Sequence, residues 1–148
     1  MNEFEIVTII DRPVETVFSA LQDFEKAPRW NPGLTEVRLT SDGPLGVGST
    51  VVYVGRFLGR GYESPSEYTE YVANERFVSV TTSGPFHLEV ENSLESVGDG
   101  DGTRLTVVYR GESRGFFKLA EPVVFKLTKK HFETATENLK ELLEADAL

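Results

Sequence analysis

Apolar and polar positions alternate with a period of two at the start of the chain. Phe4, Ile6, Thr8 and Ile10 fall on one side, with Glu5, Val7 and Ile9 on the other, and this predicts a strand. The alternation stops at Asp11, a residue type that caps helices, and Pro13, whose missing N–H is harmless in a first helical turn. Val14, Val17, Phe18 and Leu21 then recur at i, i+3, i+4 and i+7, one apolar stripe of a helix. A second short helical turn is expected over 24–27. Pro28 should end it, because the residue before a proline avoids helical backbone.

From Val37 the period returns to two. Candidate strands cover roughly 34–40, 49–58, 62–73, 76–83, 86–97 and 103–114. The turns between them are Ser41-Asp42-Gly43-Pro44, Gly59-Arg60-Gly61, Asn74-Glu75, Ser83-Gly84-Pro85 and the glycine–aspartate run 98–102. Such short gaps imply hairpins and an antiparallel meander. Pro122 is the last breaker. After it, Val124, Leu127, His131, Ala135, Leu139 and Leu142 keep a helical spacing to the end of the chain. A helix of about 25 residues, nearly 40 Å long, is predicted there. The fold class is therefore α+β: a curved antiparallel sheet of six to seven strands, two short helices and one long C-terminal helix, in one domain over 1–148.

A sheet of so many twisted strands curls, and a single helix only about 10 Å wide cannot plug the concave side. A cavity follows unless large side chains fill it. The inner-face series is Tyr53, Phe57, Tyr68, Phe86, Leu88, Val90, Leu94, Leu105, Val107 and Tyr109. Aromatics with polar tips suit a wall that is apolar but partly wet. The competing expectation is a solid core.

Four polar or mixed residues bear on chemistry. His131 lies on the apolar stripe of the last helix, where it would orient a ligand, exchange protons, or simply hydrogen-bond at the cavity edge. Asn92 interrupts the series Phe86, Leu88, Val90, Leu94, and an amide on an inner face needs a partner. Trp30, the sole tryptophan, would gate the mouth or pack the small helices. Arg29 beside it is a rim charge or a solvated one. Together with Tyr53, Phe57, Tyr68, Phe86, Val90, Tyr109 and Leu127, the residues Trp30, Asn92 and His131 form the candidate cavity set. His87 alternates with Glu89, Glu91 and Glu95 on the outer face, which reads as a solvated surface; no metal-ligand spacing is present. The glycines at 55, 59 and 61 lack a P-loop ending and join strand to strand. Ser49, Ser64 and Ser66 lack the context of a serine nucleophile.

Composition narrows the classes further. There is no cysteine, which excludes disulfides and thiolate chemistry. No long apolar run or basic-then-apolar leader is present, so a cytoplasmic location without stable membrane insertion is the expectation. The net charge of −9 disfavours nucleic acid as a partner. One region departs from it. Residues 110–131 hold six basic residues against Glu112 and Glu121, a net +4 that leaves −13 for the remainder. These lysines read first as the solvated face of a helix, and second as a surface for a membrane or an acidic partner.

Several segments carry a family resemblance. Ile10-Asp11-Arg12-Pro13-Val14-Glu15-Thr16-Val17-Phe18, Asp23-Phe24 followed by Trp30-Asn31-Pro32, Gly43-Pro44-Leu45-Gly46-Val47-Gly48-Ser49 and Gly102-Thr103-Arg104-Leu105-Thr106 stand in the order and spacing found in one superfamily. In them the chain resembles the START-like, or SRPBCC, superfamily, which includes polyketide cyclase/dehydrase-type and birch-pollen-allergen-like proteins. The resemblance implies a helix-grip fold with a hydrophobic cavity; separately, no cofactor is expected. These motifs are structural, so it transfers no catalytic residue. Three readings follow. The chain binds a small hydrophobic molecule (a lipid, polyketide or isoprenoid-like compound); it is a cyclase or dehydratase using His131, Asn92 and a tyrosine such as Tyr109; or it is a protein-interaction or stress-regulator module. Either a monomer or a homodimer fits.

Overall fold

The structure is a computed structural model and describes residues 2–148. Seven strands form one antiparallel sheet: β1 (Asn2–Ile10), β2 (Leu34–Leu39), β3 (Thr50–Phe57), β4 (Arg60–Val72), β5 (Arg76–Thr81), β6 (Phe86–Val97) and β7 (Gly102–Ser113). Helices α1 (Val14–Leu21) and α2 (Ala27–Trp30) separate β1 from β2, and a 3-10 turn (Gly115–Ala120) leads into α3 (Glu121–Glu144). The sheet order is β1-β7-β6-β5-β4-β3-β2. Strands adjacent in sequence at the start of the chain therefore lie at opposite edges, and α1 and α2 must carry the chain from one edge to the other. This is the helix-grip arrangement, with α3 laid across the concave face.

Local chemistry differs from expectation at four places. Pro13, not Asp11, occupies the N-cap of α1, and the Asp11 N–H donates to Glu144 Oε2 at 2.8 Å, tying the helix start to the end of α3. Proline occupies the first turn of both α2 and α3, so Pro28 and Pro122 open helices where they were expected to precede or end them. The short helix accordingly lies at Ala27–Trp30, not at 24–27. The β3–β4 turn is Leu58-Gly59, both at positive φ, with Phe57 paired to Arg60. Two residues in the left-handed region match the right-handed twist of the flanking strands, so Arg60 and Gly61 belong to β4.

The main core gathers Ile10, Val17, Phe18, Val51, Leu105, Leu139 and Leu143 between sheet and helices. Phe4 stacks on Tyr109 with centroids 4.5 Å apart, and Phe132 of α3 closes on both rings. A register shift between Tyr68 and Glu70 lets Tyr71 turn inward beside Phe18. A second, smaller cluster of Phe86, Phe117 and Val124 sits at the other end, with Phe57 and Tyr62 against it.

Candidate functional site

The sheet and α3 do not pack together over their whole length. They enclose a cavity of about 200 Å³. The strands supply most of the wall by simple alternation: Tyr53 and Phe57 from β3, Tyr62, Ser64, Ser66 and Tyr68 from β4, Ser79 and Thr81 from β5, Phe86, Leu88, Val90 and Asn92 from β6, and Leu105, Val107 and Tyr109 from β7. Thr128, His131, Phe132, Thr136 and Leu139 close it from α3, and Phe24, Trp30 and Asn31 from the α1–α2 region.

Nine of the ten candidate residues lie on this wall: Trp30, Tyr53, Phe57, Tyr68, Phe86, Val90, Asn92, Tyr109 and His131. Leu127 does not. It is 41% exposed on the outside of α3, and its neighbour Thr128 faces the cavity instead. The inward stripe runs through Val124, Thr128, the pair His131 and Phe132, Ala135 and Leu139; Leu127 lies about 90° of helical rotation from its centre.

His131 is held at the rim. Its Nε2 is 2.6 Å from Asn31 Oδ1, and an amide oxygen only accepts, so Nε2–H donates. Burial pushes the imidazole below its ordinary pKa, leaving Nδ1 as a bare acceptor. The close fit requires glycine at position 33, where a Cβ would collide with the His131 ring. Two further ties fix the same corner: Asn138 Nδ2 donates to the Trp30 carbonyl at 3.2 Å, and Arg29 Nη2 to the Ala147 carbonyl at 2.5 Å. Arg29 thus ties to Ala147 while staying exposed to solvent.

The tyrosines stay protonated. Burial raises the pKa of Tyr53, Tyr62, Tyr68 and Tyr109 above the ordinary phenol value. They offer hydroxyl donors and are poor bases near neutral pH. Tyr68 Oη donates to Gln22 Oε1 at 3.4 Å. Thr81 Oγ1 accepts from the Leu88 N–H at 2.9 Å. Among the described residues, three buried polar atoms have no partner: Trp30 Nε1, Ser64 Oγ and Gln22 Nε2. The first two belong to cavity-lining residues.

Sequence reasoning missed the polar strip formed by Ser64, Ser66, Ser79 and Thr81. It weighed two of these serines only as nucleophiles. The signal was present: Tyr62, Ser64, Ser66 and Tyr68 alternate with Glu63, Pro65 and Glu67, so the serines share the face of two aromatics. The row His87, Glu89, Glu91, Glu95 lies on the sheet's outer side. There Arg110 reaches Glu89 at 2.9 Å, Arg104 reaches Glu95 at 3.1 Å, and Arg76 pairs with Glu91.

The family described as polyketide cyclase / dehydrase and lipid transport matches residues 1–144. The chain belongs to this family. A START superfamily protein from Mycobacterium smegmatis superposes with a TM-score of 0.77 at 21% identity, covering 95% of this chain and 98% of its own. The Zhui aromatase/cyclase from Streptomyces sp. R1128 superposes with a TM-score of 0.82 at 13% identity, over 97% of this chain and 93% of its own. A conserved protein from Geobacillus kaustophilus gives 0.80 at 15% identity, over 97% and 96%. Identities this low carry the fold alone. Among curated proteins, none matches the sequence. No helix among the described residues is long and apolar enough to cross a membrane.

Proposed function

We propose that the chain binds a small, largely apolar molecule that carries at least one hydrogen-bond acceptor, in the cavity between the sheet and α3. The observation that carries this is the pairing of an aromatic wall with two unpartnered buried polar atoms, Trp30 Nε1 and Ser64 Oγ. A buried donor without a partner costs about 1–3 kcal/mol, and a ligand oxygen would recover that cost. The strip of Ser66, Ser79 and Asn92 extends the same polarity along one wall. An oxygenated ring compound of the polyketide kind therefore fits better than a plain alkyl chain. The cavity is smaller than the about 300–1,000 Å³ usual for drug-sized ligands, so the ligand is compact. Burying about 300 Å² of its apolar surface would contribute roughly 7 kcal/mol before the costs of association. Membership in a family that includes cyclases and lipid carriers supports the reading without choosing between them.

The sole tryptophan lines the cavity and so reports on its contents. Titration with a small hydroxylated naphthalene should quench Trp30 fluorescence saturably. A Val90→Trp variant, which fills the space, should retain the fold by circular dichroism and lose saturable binding, read by calorimetry because the new tryptophan masks the old one. Saturable binding of equal affinity in both proteins would place the ligand elsewhere and overturn the reading.

A further inference from the structure

The outward face of α3 changes character halfway along. Val123, Lys126, Leu127 and Lys130 fall at i, i+3, i+4 and i+7, share one face, and are exposed. The 3-10 turn before them adds Phe116 and Leu119, and the Arg60 guanidinium lies 4.0 Å from the Phe116 ring centre. Phe116, Leu119, Val123 and Leu127 are 47%, 86%, 54% and 41% exposed. Single exposed apolar residues are ordinary, but four within one short stretch form a surface that soluble proteins keep for a partner.

Charge points to the kind of partner. Residues 114–130 carry Arg114, Lys118, Lys126, Lys129 and Lys130 against Glu121 alone, a net +4 on a chain whose remainder is −13. Glu121 is turned to accept from Asn2 Nδ2 and the Ser113 N–H, with Lys118 3.8 Å away. Beyond His131 the sign reverses: residues 132–148 hold Glu133, Glu137, Glu141, Glu144 and Asp146 against Lys140, a net −4.

We propose that this patch docks on an anionic lipid surface. In that pose Leu119, Val123 and Phe116 enter the headgroup boundary, and the lysines lie among the phosphates. Lysines beside exposed apolar side chains are the composition of segments that lie in a bilayer interface. Protein interfaces are depleted in lysine. A second copy would place one +4 patch against another across a two-fold axis. The acidic second half of α3 is repelled by the same surface, so only the N-terminal end of the helix approaches. Immediately behind the patch, Phe117 packs on Phe57 and Phe86, two cavity-wall residues. Docking would thus set one end of the cavity at the lipid. The inference does not depend on what the cavity holds.

Co-sedimentation of the whole chain with vesicles tests it. Vesicles of phosphatidylcholine with added phosphatidylglycerol should bind the protein at low salt and release it at high salt, while phosphatidylcholine alone should not bind it. Neutralising two lysines in Lys126→Gln/Lys130→Gln should weaken binding about 25-fold, at roughly fivefold per charge. Leu119→Ser should weaken it about tenfold with unchanged thermal stability. Glu137→Gln/Glu141→Gln, on the far half, should not weaken it. No binding to the anionic vesicles at low salt would overturn the proposal. So would equal binding by the patch variants, or binding to soluble polyglutamate in place of vesicles.

Discussion

The two halves of α3 are built for different tasks. The C-terminal half buries Ala135, Thr136, Leu139 and Leu143, the two leucines in the main core, and is pinned at its end. Arg12 Nη2 donates to the Glu144 carbonyl at 2.6 Å, and Lys140 Nζ to the Ile9 carbonyl at 2.6 Å. The N-terminal half fully buries only Val124. It lends Thr128 and His131 to the cavity and leaves Val123 and Leu127 exposed. Both halves reach the cavity, the C-terminal one through Thr136 and Leu139, but only the N-terminal half also leaves apolar side chains in solvent.

Substitutions can break or sharpen this contrast, beginning with the most damaging. Leu139→Ala removes a fully buried side chain that joins the main core to the cavity wall and should cost about 2–5 kcal/mol by denaturant unfolding. Val124→Ala, the nearest equivalent in the other half, should cost about 1–2 kcal/mol. Equal losses would erase the distinction between the halves.

His131 sits near the join, and its replacement tests the rim. Loss of its bond to Asn31 in His131→Gln should cost about 0.5–1.5 kcal/mol at neutral pH. The folded imidazole has a lowered pKa, so the unfolded chain binds more protons in the window below the ordinary value of 6.5. Stability is therefore complete above that value and declines as pH falls through the window. The difference between the parent chain and His131→Gln should shrink between about pH 7.5 and about pH 5, measured by urea midpoints. A constant difference would mean that the imidazole titrates freely. The smallest effect belongs to the exposed face, where Lys126→Gln/Lys130→Gln should change stability by no more than about 0.5 kcal/mol.

The six strands from residue 34 onward were legible nearly to their ends, because alternation with a period of two marks each strand and glycine-rich turns separate them. Most of the cavity wall was legible for the same reason: a curled sheet places every second residue inside. Leu127 failed because a stripe counted only in steps of three and four admits residues at its edge, and the direction of α3 relative to the sheet decides which side is in. The partners of Arg29 and His131 were also invisible, since Ala147 and Asn31 lie 118 and 100 positions away along the chain.

The sequence by itself determined the order of elements, the inward face of each strand and the uneven spread of charge along the last helix. These are local consequences of residue spacing and turn chemistry. Only the tertiary structure decided that sheet and helix leave a cavity between them, which buried polar atoms are left without partners, and which side of α3 looks outward. Those outcomes depend on how far apart two packed layers come to rest, and the volumes of side chains distant in sequence set that distance.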